Sequence, residues 1–342
     1  MTETRPLQIV SMGGGNGLAT LLRGLKRYAK ASGGGVGITA VVTVTDDGGS
    51  SGRLRRAFDV LPPGDIRNCM VALSQDETLL SRLFNYRFSS GRGLKGHSFG
   101  NLFLTAMTHL TGEFRQAVKL SAEVLRVAGR IYPSTASNVA LEAILESGAR
   151  ISGETRISRS REKIERIELK PRKVKPLKET LAAIAEADLI TFGPGSLFTS
   201  VIPNLLVDGI PQAVAASPAV KAYFVNLMTQ PGETGEFRAS DHVASLLRHA
   251  GRRARPILDV AVINSGYIEG KALDQYGAQE ARRVENDIKT IEEMGIKVIQ
   301  TDLVRMSGLK RQPKIRHDAG ALGAVAIGLA EQARRSKGKL AS

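Results

Sequence analysis

The residues able to do chemistry sit in a series of glycine-rich polar loops. The first reads Gly13-Gly14-Gly15-Asn16-Gly17. Glycines let the backbone approach an anion closely, and the start of a following helix offers unpaired N–H groups. A pyrophosphate suits such a loop, although a tight strand-to-helix turn would use the same residues. Gly13 and Gly15 match the first two glycines of a dinucleotide fingerprint, but Leu18 stands where the third belongs. A nicotinamide dehydrogenase is therefore a remote reading. No Gly-Lys-Ser/Thr phosphate loop occurs.

The second loop reads Thr45-Asp46-Asp47-Gly48-Gly49-Ser50-Ser51-Gly52-Arg53. Asp46 and Asp47 suit Mg²⁺ or a ribose diol. Gly49, Ser50 and Ser51 can donate to phosphate, and Arg53 can balance charge. Asp65 and Asn68 lie in Pro63-Gly64-Asp65-Ile66-Arg67-Asn68, where Asp65 reads either as a helix N-cap or as a functional carboxyl. His97 and Asn101 open another helix and suit capping or ligand contact equally. Gly193-Pro194-Gly195-Ser196, with Thr199, repeats the design of the first loop. Asn226, Thr229 and Glu233 follow in a later loop, and Arg316-His317-Asp318 could close over a ligand or simply end a basic strand with Asp318 as a cap. No nucleophile elbow is present, and the single cysteine, Cys69, reads as a small buried apolar residue.

Which elements hold these loops? Apolar, β-branched runs at 7–11, 38–44, 188–192, 222–227 and 257–263 read as strands, and each runs toward one of the polar loops. Helical spacing appears at 66–73, 77–86, 100–110, 113–127, 177–187 and 319–334. The order is that of an α/β, Rossmann-like three-layer fold with a largely parallel central sheet, whose ligands bind beyond the carboxyl ends of the strands. Residues 138–157 flank a Ser147-Gly148 hairpin signal, and the following basic stretch alternates. A small strand-rich basic insertion follows from that. One domain over 5–335 is expected, with a basic, disordered tail at 336–342.

The net charge is +15. Residues 150–178 hold eleven Lys/Arg against four Asp/Glu, and further clusters lie at 252–255, 310–316 and 334–339. No aromatic residues interleave the basic patch, so a nucleic-acid-binding module is only the third reading. The longest apolar run, 321–330, is too short to span a bilayer. No signal peptide is visible, and a cytoplasmic location is expected.

Taken together and in order, the loops resemble the YvcK family, the so-called gluconeogenesis factors, which are relatives of the CofD-type 2-phospho-L-lactate transferases. The resemblance runs from about residue 7 to about residue 330. It implies a CofD-like Rossmann variant. It implies binding of UDP-glucose or UDP-N-acetylglucosamine and a role linking carbon metabolism to cell-wall synthesis and cell shape. Cell-wall synthesis proteins are the partners it suggests. No reaction is implied. A CofD-type, Mg²⁺-dependent transferase acting on a nucleoside-diphosphate-linked donor is the alternative. The Ile315-Arg316-His317-Asp318 motif carries over, with Arg316 as a ligand residue. Tyr276 is chosen as the family's late tyrosine, with Tyr267 the competitor. Ala319 stands where family members can carry a phosphorylatable Thr, which departs from the pattern. A dimer is a guess.

Overall fold

The computed structural model describes residues 5–31, 35–75, 79–251, 256–309 and 312–340, with side chains at 30, 31, 309, 312, 313 and 337–340 set aside. The strands are β1 (Leu7–Gly13), β2 (Val36–Val42), β3 (Arg130–Pro133), β4 (Ala140–Leu145), β5 (Arg150–Ser152), β6 (Ile164–Lys170), β7 (Leu189–Phe192), β8 (Val220–Phe224), β9 (Val260–Asn264), β10 (Lys297–Thr301), β11 (Val304–Leu309) and β12 (Gln312–His317). Seven of them form one parallel sheet in the order β10-β9-β8-β7-β1-β2-β3. Strands covered on both faces should read as continuous apolar runs, and every residue of β7 and β9 is buried.

β1 is the pivot. It pairs with β2 on one side and β7 on the other, so the strand order reverses there. Open α/β sheets form their ligand crevice at such a switch point. The helix Gly15–Ala31 follows β1 and buries Leu18, Leu21, Leu22 and Leu25. It crosses the closing helix Ala319–Leu340 where Gly24 meets Gly323. A Cβ at Gly24 would lie 1.9 Å from the Ala319 carbonyl oxygen, so two backbones touch at this crossing. Asp188, at the entry to β7, ties the closing helix down. It accepts from Arg334 Nη2 at 2.9 Å, from Arg5 Nη2 at 2.6 Å and from the Gln8 amide at 3.0 Å.

The insertion is a separate antiparallel sheet, β5-β4-β6, with Gly148 at φ 83° in the tight turn between β4 and β5. Its basic residues are knitted to two carboxylates. Glu142 takes Arg150 and Lys170, and Glu168 takes Arg150, Arg166 and Arg172. Part of the local positive charge is thus spent on internal pairing, not offered as a free patch.

Several elements were not legible. β3 is four residues with Arg at its start and Pro at its end, too short for a periodic signal. The hairpin β11–β12 and the edge strand β10 are mostly polar. The helix expected over 113–127 stops at Val124, because Arg126 turns left-handed at φ 48° and leads the chain into β3. The closing helix extends to Leu340, so the backbone of 336–340, expected as a disordered tail, is helical; 341–342 lie outside the described residues, as do 252–255 and 310–311 of the basic clusters. No single helix among the described residues is long and apolar enough to cross a membrane. The bent pair Leu197–Leu205 and Ile210–Ala216 has the apolar length together, but Leu197 through Leu205 are all buried in the core.

Gly24→Ala should lower stability by about 1–3 kcal/mol, since a methyl would press on backbone that cannot rotate aside. Thermal or denaturant unfolding would measure it. An unchanged midpoint would show that the two helices can separate freely.

Candidate functional site

The loop after β1 and the loop after β7 meet across the switch point. A Cβ at Gly17 would lie 2.2 Å from the Pro194 carbonyl oxygen and 2.8 Å from the Gly195 Cα. Gly15 takes φ 60° and begins the helix, whose first residues, Gly15 to Gly17, line the space between the loops. That space is the main chamber, about 630 Å³. It is lined by Gly14, Gly15, Asn16, Gly17, Gly195, Ser196, Thr199, Asn226, Thr229, Tyr276 and Arg316 of the expected residues. Gln230 orders one wall. It donates to Ser196 Oγ at 2.8 Å and accepts from Asn226 Nδ2 at 3.3 Å. Thr229 Oγ1 receives the Arg282 amide at 3.0 Å.

Tyr276 holds the hairpin that carries Arg316. Its hydroxyl accepts from the Ile315 amide at 3.2 Å and donates to the Ile315 carbonyl at 3.4 Å. The competing Tyr267 is 79% exposed and outside the chamber lining. Arg316 itself is exposed at the mouth. His317 and Asp318 do not close over the chamber as charges. His317 is pushed down to about 4 by burial, and its Nε2 donates to the Val225 carbonyl at 3.4 Å. Asp318 caps the closing helix, accepting from the Ala321 amide at 2.8 Å.

A second chamber of about 470 Å³ adjoins the first, with Asn16 lining both. It collects Asp46, Gly49, Ser50, Ser51, Asp65, Asn68 and Asn101, together with Arg67, Asn85 and Arg87, which sequence reasoning missed. Asn101 Nδ2 donates to Ser51 Oγ at 3.3 Å. Asp65 is not an N-cap; its carboxylate accepts the Gly15 N–H. Burial, and then the neighbouring Asp46, push its carboxyl up to about 7.

The remaining expected residues support the chambers without lining them. Gly13 ends β1, and its carbonyl lies 3.4 Å from Asn204 Nδ2. Gly193 makes the turn after β7 at φ 69°. Asp47 faces the insertion, where it accepts the Thr155 amide at 2.9 Å and hydroxyl at 2.7 Å. Arg53 is exposed and donates to the Lys95 carbonyl at 3.0 Å. His97 is buried with Nδ1 3.0 Å from Ser50 Oγ, and Ser98, not His97, caps the helix Phe99–Thr111. With Asp47 committed, a Mg²⁺ ion would find two carboxyl groups, Asp46 and Asp65, in the second chamber; no cluster of three or more ligating side chains forms among the described residues.

Two carboxyls line the main chamber, Glu233 of the later polar loop and Glu154, which the sequence did not point to. Glu154 and Ser158 come from the insertion, which therefore forms a wall of the site. Burial, then Asp65 and Asp46, push Glu154 well above the usual carboxylate range. Glu233 accepts from Thr199 Oγ1 at 3.0 Å, the Phe198 amide at 3.2 Å and Ser158 Oγ at 3.2 Å, yet burial still raises it. No local motif marks Glu154; only the folding of the insertion onto the loops brings it in.

Fold and site define a class: a doubly wound α/β protein with a two-chambered cleft between glycine loops at the switch point. The family model for 2-phospho-L-lactate transferase CofD matches residues 9–304. The gluconeogenesis factor of Bacillus subtilis is 44% identical over 325 residues, covering 95% of this chain and 98% of that protein. A putative gluconeogenesis factor of Aquifex aeolicus is 44% identical over 336 residues, covering 97% and 99%. The crystal structure of a UPF0052 family member from Bacillus halodurans superposes with a TM-score of 0.87 at 41% identity, covering 95% of this chain and all of that one. The chain belongs to the gluconeogenesis-factor family, YvcK/UPF0052, distantly related to CofD.

A carboxyl whose pKa is raised by folding favours the folded state below its unfolded value, and that contribution is lost as pH rises through the folded value. For Asp65 the window runs from about 4 to about 7. Asp65→Asn should therefore raise the unfolding midpoint relative to the parent at pH 8 and not at pH 4. Equal differences at both pH values would remove Asp65 as the titrating group.

Proposed function

We propose that the main chamber binds a UDP-sugar, UDP-N-acetylglucosamine or UDP-glucose, and that the protein acts in the cytoplasm as a regulator linking carbon metabolism to cell-wall synthesis and cell shape. The observation that carries this reading is the pairing of the Gly14–Gly17 and Gly195–Ser196 loops across the switch point, with a helix start lining the space between them. Backbone N–H groups at close approach suit a diphosphate. The chamber's length toward Asn226, Tyr276 and Arg316 leaves room for the nucleoside and sugar on either side. Arg316, the exposed cation in the lining, is suited to closing on a phosphate oxygen. The relatives' name, gluconeogenesis factor, supports the metabolic half of the reading. Cell-wall synthesis proteins are the partners it calls for.

A second reading is a CofD-type transferase. It draws on the match to the CofD model and on Asp65, whose carboxyl titrates near neutrality between the two chambers. A group poised near pH 7 can take or give a proton. In that reading Asp46 and Asp65 hold Mg²⁺ against a nucleoside-diphosphate-linked donor.

Thermal unfolding against UDP-N-acetylglucosamine, UDP-glucose, UDP, GDP and NAD, each with and without Mg²⁺, separates the readings. A ligand at about one hundred times its Kd adds about 2.7 kcal/mol to the folded state. The regulator predicts a shift confined to the UDP-sugars and UDP, reduced at least tenfold in affinity in Arg316→Ala, with the nucleotide recovered intact. A response to GDP, or Mg²⁺-dependent consumption of a donor, would replace it with the transferase.

A further inference from the structure

Arg67 is an anomaly in electrostatic terms. It is 8% exposed, and its guanidinium makes no ion pair among the described residues. Nη2 donates to Asn68 Oδ1 at 2.5 Å, while Nε is buried with no partner. Its guanidinium takes no other hydrogen-bond partner among the described residues. A buried charge without a counter-ion is costly, and proteins normally pair it or neutralise it. Arginine cannot neutralise itself. Burial and then the nearby Arg87 lower the guanidinium's proton affinity, and Asp65 and Asp46, which make no ion pair with it, offset only part of this.

The same chamber holds a second orphan of the opposite kind. Asn101 is 2% exposed, donates through Nδ2 to Ser51, and leaves Oδ1 buried without a partner. Arg67, Asn68 and Arg87 line this chamber together with Asp46 and Asp65. Two guanidinium groups within electrostatic reach of each other, one of them buried, make a socket for a compact oxyanion. Asp46 and Asp65 can accept the ligand's hydroxyl groups beside the anion.

We propose that the second chamber is a subsite for the phosphoryl or carboxyl group of a small hydroxylated molecule, with Arg67 as its anchor. The proposal stands on the second chamber alone and does not depend on what fills the first. The ligand group could belong to a separate molecule or to the far end of one long ligand; the shared chemistry is an oxyanion held by Arg67.

The test uses the full chain with inorganic phosphate and glycolate as probes, titrated calorimetrically at constant ionic strength with chloride as the balancing ion. Saturable phosphate or glycolate binding, weakened at least tenfold in Arg67→Gln and in Asn101→Asp, is the expected result. Binding that persists with saturating UDP points to a separate molecule, and binding that is lost with UDP but still depends on Arg67 points to the far end of one ligand. Unliganded Arg67→Gln should unfold at or above the parent midpoint, since an unpaired buried charge has been removed. Phosphate affinity unchanged in both variants would overturn the proposal. So would a lowered midpoint in Arg67→Gln with phosphate binding intact in Asn101→Asp, which would make Arg67 a purely structural residue. Failure of the UDP-sugar reading would appear separately, as absent UDP binding with the phosphate response preserved.

Discussion

Two backbones in near contact organise this molecule's site. The loop after β1 and the loop after β7 approach so closely that a single methyl at Gly17 would collide with the Pro194 carbonyl. That approach is possible only because β1 and β7 are parallel neighbours whose carboxyl ends lie side by side. It places a helix start, Ser196 and Thr199 around one space. The other walls are added to this frame. β12 brings Arg316, the insertion brings Glu154 and Ser158, and the Asn226–Pro231 loop closes the far side.

The insertion is part of the site and not an appendage. Asp47 leaves the expected phosphate-binding loop to grip Thr155, and Glu233 reaches back to Ser158. These bonds couple a short antiparallel sheet to the parallel core at the cleft. The strong positive charge of residues 150–178 then has a structural reading: Glu142 and Glu168 gather four of its cations against the β4–β6 face. What composition alone suggested as a basic patch is in part an internal network, and surface pairs of this kind contribute little stability individually.

Much of the fold could be read from periodicity. β1, β2, β7, β8 and β9 are apolar runs ending in polar loops, because strands buried on both faces leave a continuous hydrophobic trace. The glycine loops were legible because close backbone approach demands glycine, as at Gly17, where a Cβ would lie 2.2 Å from the Pro194 carbonyl oxygen. What escaped was whatever depends on tertiary proximity. Asp65 reads as a cap but takes the Gly15 amide, because the helices Gly15–Ala31 and Gly64–Leu73 meet only in the folded chain. Arg67 lies two residues from Asp65, and nothing in its sequence neighbourhood signals its burial. His97 and Arg53 had suitable chemistry but serve a buried serine and a loop carbonyl.

The last constraint is electrostatic. Four carboxyl groups, Asp46, Asp65, Glu154 and Glu233, stand around the cleft between the glycine loops. Were all four ionised, their fields would oppose any diphosphate. Burial prevents this: it raises Asp65, Glu154 and Glu233, and Asp46 raises both Asp65 and Glu154 further. Charge on one suppresses charge on the next, as in any close carboxyl group set. The cleft thus presents itself to an incoming anion as far less negative than its composition. An arriving phosphate would push the same carboxyls further toward their protonated forms, so ligand binding and proton uptake are coupled by construction. A protonated carboxyl can donate a hydrogen bond, so burial reconciles these acidic residues with the glycine loops beside them.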